Sequence, residues 1–381
     1  MQVSFLLCRS GVGMINSVGL SNFRNYKELS VTLSNGVNIL CGDNAQGKTN
    51  FLEALYLCST GRSQRTGSDR EMIRFGQRAA MIQVDLTGAG GCRDKINLNL
   101  SADDEKGRRK GVFKGIAVNG LAIKKLGELF GVFLTVMFSP EDLSLVKSGP
   151  SERRRFMDME ICRLNAVYYY ELQQYYKILR QRNNLLKSIK NNGKLRDTLF
   201  VWDEQMVMSG SEIIRRRAAF VEKISGIAAR AHASLTRGAE QLRLIYKPNV
   251  SPEDFAAKLK NGVERDILLG STSAGVHKDD IIFMINDENA GLYASQGQQR
   301  TAALSAKLAE IELIKQEKNR LPVLLLDDCL SELDGGRQKH LLSSIGGLQT
   351  VITCTGMEDI TRNVKIDAAV YRVKNGTISR E

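Results

Sequence analysis

The chain has 381 residues, 43% hydrophobic and 25% charged, which gives enough apolar content for a real core and suits a head of two lobes better than one compact domain. No uninterrupted apolar stretch approaches the roughly 20 residues of a membrane span, and the short run 3–8 is followed, not preceded, by its one basic residue, Arg9, which excludes a secretory signal. Lys plus Arg (54) exceeds Asp plus Glu (42) for a net charge of +12, which favours polyanionic partners, although solubility alone is an equal reading of charge by itself.

In chain order, residues 1–13 read as an N-terminal extension, with Met14 a candidate start because the first strand pattern begins just after it. Segments 15–20, 28–34 and 37–42 read as strands, the last (VNILCG) running into a glycine-bearing turn. A helix is expected from Lys48 to about Cys58, with Phe51, Leu52, Leu55 and Tyr56 on its buried side. Residues 81–119 break into short antiparallel strands at Gly and Asp turns, with 103–111 an exposed charged loop. A strand at 132–138 precedes a change of pattern. From 151 to 237 the period is helical: Leu172, Tyr176, Leu179, Leu186 and Ile189, with Asn183 in the same series, recur at three- and four-residue spacing. After a polar break at 191–193, Ile214, Ala218, Val221, Ile224, Ala228, Ala231 and Leu235 do the same. Two amphipathic helices so joined make an antiparallel hairpin. From Leu242 strands and helices alternate again. The expected class is α/β, with a head formed by 14–150 and 238–381 and split by a helical insertion over 151–237. The seven cysteines form no CxxC pair and read as reduced cytosolic thiols.

Residues 42–49, GDNAQGKT, match the phosphate-loop pattern G-x-x-x-x-G-K-[ST] in the right setting, after a strand and before a helix. Gly42 and Gly47 let the backbone of Asp43, Asn44, Ala45 and Gln46 turn its N–H groups around a phosphate, aided by the positive helix end. Lys48 reaches the β- and γ-phosphates of ATP, and the Thr49 hydroxyl is a hard ligand for Mg²⁺. Downstream, PVLLLDD (322–328) is a buried strand tipped by Asp327, the Walker B position that holds Mg²⁺. Asp328 beside it is placed to activate the attacking water. Between them Ser295, Gly297 and Gln298 open a strong helix, a polar N-cap suited to an anion.

That S-x-G-Q core resembles the signature of ABC-type ATPases, and 331–334 (SELD) resembles their D-loop, which places Asp334 on a dimer seam. The resemblance implies a mixed-sheet P-loop head with an antiparallel β subdomain and ATP sites completed in trans by a second copy. The wide gap between phosphate loop and signature is similar to SMC-type heads. Still closer, LSNFRNYKELSVTLSNGVNILCGDNAQGKTNFLEALYLCSTGRSQRT, FSPEDLSLVKSGPSERRRFMD, GVHKDD, SQGQQRTAALSAKLAE and LLLDDCLSELD resemble the bacterial RecF family, in order and over nearly the whole chain from Met14. This implies a cytosolic, nucleoid-associated ATPase of replication and recombinational gap repair. It also implies ATP-driven homodimers on double- and single-stranded DNA, gapped or junction, with RecR and RecO as partners in loading RecA, and no membrane.

Some residues depart from those patterns. Val276 stands where the family has proline and Gln64 where it has an aromatic or His. Thr353 and Thr355 stand near the place of a transporter's switch histidine, and Asp328 replaces the usual glutamate, so a slow hydrolysis is expected. Arg24 resembles nucleotide-contacting residues of SMC-type heads, with a surface arginine the other reading. Arg62 and Arg65, and the basic runs 153–155 (with Arg153 and Arg154) and 215–217, are candidates for DNA contact against the ordinary reading of solvated charge. His277, Asp279 and Asp280 read as core or interface residues, and Glu141 as the position that senses Mg²⁺. A transporter subunit, an SMC-like nuclease and a non-hydrolysing scaffold are the alternatives. They lack, respectively, the switch histidine, room for a metal domain after Asp334, and a reason for Asp328.

Overall fold

A computed structural model describes residues 13–88, 91–102, 111–332, 335–356 and 367–381. It falls into two compact units, Met1–Pro140 with Ile311–Glu381, and Glu141–Glu310. The chain begins with β1 (Met14–Phe23), β2 (Tyr26–Thr32), β3 (Val37–Cys41), α1 (Lys48–Thr60), β4 (Ala79–Thr87), β5 (Arg93–Ser101), β6 (Phe113–Val118), β7 (Leu121–Ala122) and β8 (Thr135–Phe138). There follow α2 (Ser144–Lys147), α3 (Pro150–Leu164), α4 (Ala166–Ile189), α5 (Leu199–Leu235), β9 (Leu242–Lys247), α6 (Phe255–Asn261), α7 (Val263–Leu269), β10 (Asp280–Ile285), β11 (Glu288–Asn289) and α8 (Ala290–Tyr293). Helix α9 (Gln296–Lys318) carries the chain back to the first unit, which ends in β12 (Val323–Leu326), α10 (Gly335–Ser344), β13 (Thr350–Cys354), β14 (Ala368–Lys374) and β15 (Thr377–Arg380).

The first unit is built on two six-stranded sheets. One, in the order β15-β14-β3-β13-β12-β8, is parallel from β14 to β8, with β15 antiparallel at its edge. Parallel strands are covered on both faces, so they read as unbroken apolar runs; Val323 to Leu326 of β12 are all fully buried. The other sheet, β2-β1-β4-β5-β6-β7, is antiparallel and shows the alternation of a half-covered sheet, with β4 burying every second residue. Helix α1 joins one core with residues of both sheets. Phe51, Leu52, Ala54, Leu55, Leu57 and Cys58 are therefore all fully buried, while Tyr56, expected on the buried face, is only partly covered. Gly61, at φ 69°, stops the helix by donating its N–H to the Leu57 carbonyl.

The second unit holds three long helices where two are expected. Helix α3 starts on Pro150, whose missing N–H costs nothing at that position. Asn165 then caps α4 by accepting from the Val167 N–H. The stripe of α4 runs through Tyr175 and Arg182, not Tyr176, and that of α5 through Arg217, not the exposed Ala218. A count of apolar periodicity passes over arginine, yet both guanidinium groups are fully buried and compensated by carboxylates. Arg182 pairs with Asp203 and Asp266, Arg217 with Asp158 and Asp279. A three-stranded antiparallel sheet, β11-β10-β9, also lies in this unit, so the unit extends to both sides of the 151–237 segment marked by helical periodicity. Cys41, Cys58 and Cys354 are thiols. Cys92, against the expectation of an all-reduced set, is disulfide-bonded.

Candidate functional site

Strand β3 ends at Cys41 and α1 begins at Lys48, so the phosphate loop spans the carboxyl end of a central strand and the N-terminus of a 13-residue helix. Ala45 (φ 64°) and Gly47 (φ 117°) adopt left-handed backbone, the kind of bend that turns successive N–H groups into one concavity. Both loop glycines are sterically required. A Cβ on Gly42 would lie 2.3 Å from the Val373 carbonyl oxygen, and one on Gly47 2.6 Å from Asn25 Nδ2. Two turns brace the loop from outside. Asn25 and Tyr26, at the β1–β2 turn, donate to the Gln46 and Gly47 carbonyls at 2.9 and 3.0 Å, and the Asn375 N–H, in the β14–β15 turn, donates to Gln46 Oε1 at 2.7 Å. Asp43, Asn44 and Ala45 form the exposed rim. The Lys48 ammonium is buried and donates to the carbonyls of Gly42 (2.7 Å) and Asp43 (2.9 Å), so its charge is held in the hollow of the loop.

The acids directly follow β12, which is one strand removed from β3 with β13 between them. Asp327 Oδ1 accepts hydroxyl bonds from Thr49 and Thr353, each at 2.9 Å. Burial pushes the Asp327 carboxyl above its usual range, partly offset by those hydroxyls. Asp328 is half-buried at φ 46°, its N–H donating to Thr353 Oγ1 at 2.9 Å. Thr353 therefore fixes both acids, a role that its strand position only hints at. The donors suit Mg²⁺: octahedral ligands at ~2.1 Å put neighbouring oxygens ~2.9 Å apart, and Thr49 Oγ1 and Asp327 Oδ1 are separated by 2.9 Å.

Beside the loop lies a cluster that motif reading missed. Glu53, 1% exposed on α1, receives a forked bond from Arg24 at 2.8 and 2.6 Å and the Ser63 hydroxyl at 2.6 Å. Arg65 Nη1 stands 3.6 Å from the same carboxylate and donates to Asn50 Oδ1 at 2.9 Å. Arg24 and Arg65 thus bound one side of the loop helix, while Arg62 stands exposed. An acid within the apolar stretch FLEAL was the available signal.

Comparisons with known proteins agree on one family. A family model described as AAA domain matches residues 17–325. The protein named DNA replication and repair protein RecF from Lachnoclostridium phytofermentans is 48% identical over 96% of this chain and 99% of its own, and that from Clostridium acetobutylicum 43% identical over 96% and 99%. The chain belongs to the RecF family. A solved structure described as the recombination mediator protein RecF-ATP in the RecFOR pathway superposes with a TM-score of 0.89 at 35% identity, covering 97% of this chain and 98% of that one. The Smc head domain of Pyrococcus furiosus (TM-score 0.56, 16% identity, 97% and 96% covered) shares the fold. This RecF-family chain is thus an ABC-type α/β ATPase head.

The other candidate residues of this RecF-family chain lie in the second unit. Ser295 caps α9 in a reciprocal box, its Oγ accepting from the Gln298 N–H at 3.3 Å and its own N–H donating to Gln298 Oε1 at 2.9 Å. Gln298 Nε2 is held by Glu240 at 3.1 Å. Ser295 and Gly297 remain exposed, and a Cβ on Gly297 would meet the Ser295 Oγ at 4.0 Å. Arg153 and Arg154, candidates for DNA, have inward partners. Arg153 forks onto Asp280 at 2.7 and 3.0 Å and bonds the Ser148 carbonyl, and Arg154 donates to the Asp279 carbonyl at 2.8 Å. Of the run 215–217, Arg217 is fully buried. Glu141 is exposed on a short 3₁₀ turn. Asp334 lies outside the described residues.

Proposed function

We propose that this chain is a slow, DNA-stimulated ATPase of replication and recombinational gap repair. In this reading it dimerises around ATP on gapped or junction DNA and helps to load RecA onto single strands in concert with RecO and RecR, in the cytoplasm at the nucleoid. The carrying observation is the convergence of the Lys48 ammonium, the Thr49 hydroxyl and the Asp327 carboxylate at the carboxyl end of one sheet. The names of the close relatives, DNA replication and repair protein RecF, and the RecF-ATP structure support the biological setting.

In this mechanism the loop N–H groups and Lys48 bind the β- and γ-phosphates, a task suited to a buried cation whose present partners are neutral carbonyls. Thr49 and Asp327 would hold Mg²⁺, which would supply charge neutralisation to the phosphates. Thr353 keeps Asp327 aimed and fixes the backbone of Asp328, whose carboxylate orients the attacking water. The exposed Ser295 hydroxyl, with Gly297 and Gln298, meets the γ-phosphate of a second copy. Arg24 exchanges its hold on Glu53 for the nucleotide, and the exposed Arg62 is the better placed of the DNA candidates, since Arg65, Arg153 and Arg154 each have partners within their own unit.

Binding to gapped DNA at increasing salt tests the proposal. Affinity is expected to fall linearly on log–log axes with a slope of several ions, and to be tighter with ATP than without. A flat salt response, or an affinity indifferent to ATP, contradicts it.

A further inference from the structure

Cys41 and Cys354 are the last residues of the neighbouring strands β3 and β13 and are direct partners across the parallel ladder. Both are thiols. Each also lies against a carbonyl beyond its partner strand's position: Cys41 Sγ is 3.8 Å from the Thr355 oxygen and Cys354 Sγ 3.9 Å from the Leu40 oxygen. Neighbouring strands run ~4.8 Å apart, within the ~4.4–6.8 Å that separates the Cα atoms of a disulfide. Cys41 is half-buried and open to a small molecule, whereas Cys354 is buried.

Their position couples them to the phosphate site. Cys41 adjoins Gly42, whose N–H donates to the Cys354 carbonyl at 3.3 Å and whose own carbonyl accepts from Lys48. Cys354 adjoins Thr353, which holds Asp327 and the backbone of Asp328. We propose that Cys41 and Cys354 are a reversible disulfide site at the root of the phosphate loop, with low-molecular-weight disulfides as the oxidant. In the first step the Cys41 sulfur attacks the small disulfide, forming a mixed disulfide and releasing one thiol, which carries away the Cys41 proton. In the second the Cys354 sulfur attacks the Cys41 sulfur and the second small thiol leaves with the Cys354 proton. Two protein thiols are oxidised and one small disulfide is reduced to two thiols.

Burial pushes the Cys354 thiol up to about 12, so Cys354 stays protonated and the exposed Cys41 reacts first; adjacency then drives the closing step. Closure to an S–S bond of ~2.05 Å replaces the two thiol–carbonyl contacts and pulls on the residues beside Gly42 and Thr353, so the oxidised protein loses nucleotide.

The test treats the intact protein with oxidised glutathione, maps disulfides by mass spectrometry and measures ATP binding by calorimetry before and after dithiothreitol. The wild type is expected to yield the Cys41–Cys354 cross-link and to bind ATP about tenfold or more weakly, with recovery on reduction. Cys41→Ser is expected to keep its affinity through the same treatment, and Cys354→Ala to stop at the mixed disulfide on Cys41 with no internal cross-link. Absence of the cross-link after exhaustive oxidation, or equal loss of binding in both variants, overturns the proposal. Because the cross-link map does not depend on nucleotide, an untreated wild type that binds no ATP would refute the reading of the loop while leaving the thiol pair to be judged by the map.

Discussion

Two charged clusters of this molecule look alike in composition and opposite in use. Around Arg217, buried charges satisfy one another: the guanidinium meets Asp158 at 2.8 and 3.0 Å, Asp279 at 2.8 Å and the Val276 carbonyl, while Tyr246 donates to Asp279 at 2.5 Å. At the phosphate loop, among the described residues, Lys48 donates to neutral carbonyls and the Asp327 carboxylate accepts from hydroxyls. A closed network of opposite charges specifies a core. A cation and an anion each held by neutral groups at the carboxyl end of one sheet are arranged for a charged ligand of their own.

The largest expected effect separates the clusters by crossing two substitutions with two assays. Arg217→Met leaves Asp158 and Asp279 without their counter-charge and is expected to cost ~3–5 kcal/mol in urea unfolding, with ATP affinity of the folded protein unchanged. Lys48→Ala removes a cation that binds only loop carbonyls and is expected to abolish ATP binding while stability shifts by less than ~1 kcal/mol. If Arg217→Met were neutral, or Lys48→Ala bound ATP normally, the distinction between the clusters would collapse.

A smaller effect sharpens it through pH. His277 accepts from the Tyr175 hydroxyl on Nδ1 and donates from Nε2 to the Thr272 carbonyl, 2.9 and 3.0 Å. Burial lowers its pKa from 6.5 to about 4, the Thr272 carbonyl opposing and Lys278, Arg154 and Arg217 reinforcing that shift. The unfolded chain therefore takes up a proton near pH 6.5 that the folded chain refuses until about pH 4. Stability from this group is full above pH 6.5 and is lost as pH falls through that window. The stability advantage of the wild type over His277→Asn is expected to shrink by about 1 kcal/mol between pH 7 and 5.5. An advantage that is constant or grows on acidification contradicts the neutral, core reading of His277.

The same contrast explains what was legible in the sequence. The phosphate loop and Asp327–Asp328 were readable because each role needs contiguous residues at fixed spacing, with a strand and a helix visible on either side. The Arg217 cluster draws Asp158, Arg217, Tyr246 and Asp279 from α3, α5, β9 and the segment before β10, so no local pattern announces it, though His277, Asp279 and Asp280 read as core or interface residues. Periodicity placed Leu172, Leu179, Leu186, Ile189, Ile214, Val221, Ile224 and Ala228 on the buried stripes of α4 and α5, missed Arg182 and Arg217 because it weighs apolar residues only, and overlooked α3. Residues 242–293 looked like head because strands recur there; their own small sheet in the second unit depends on long-range pairing that no window of sequence displays. Glu53 was hidden for a related reason, since its partners Arg24 and Ser63 come from a hairpin turn and a loop.

The central claim is that the phosphate site is finished by a second copy through the exposed N-terminus of α9. Light scattering of Ser295→Arg with ATP, beside calorimetry of ATP binding, tests it most directly. A cation placed on the helix cap removes the anion-accepting hydroxyl without touching Lys48, Thr49 or Asp327. The account predicts near-normal ATP binding by a protein that stays monomeric under conditions where the wild type dimerises; dimerisation of Ser295→Arg equal to that of the wild type would contradict it.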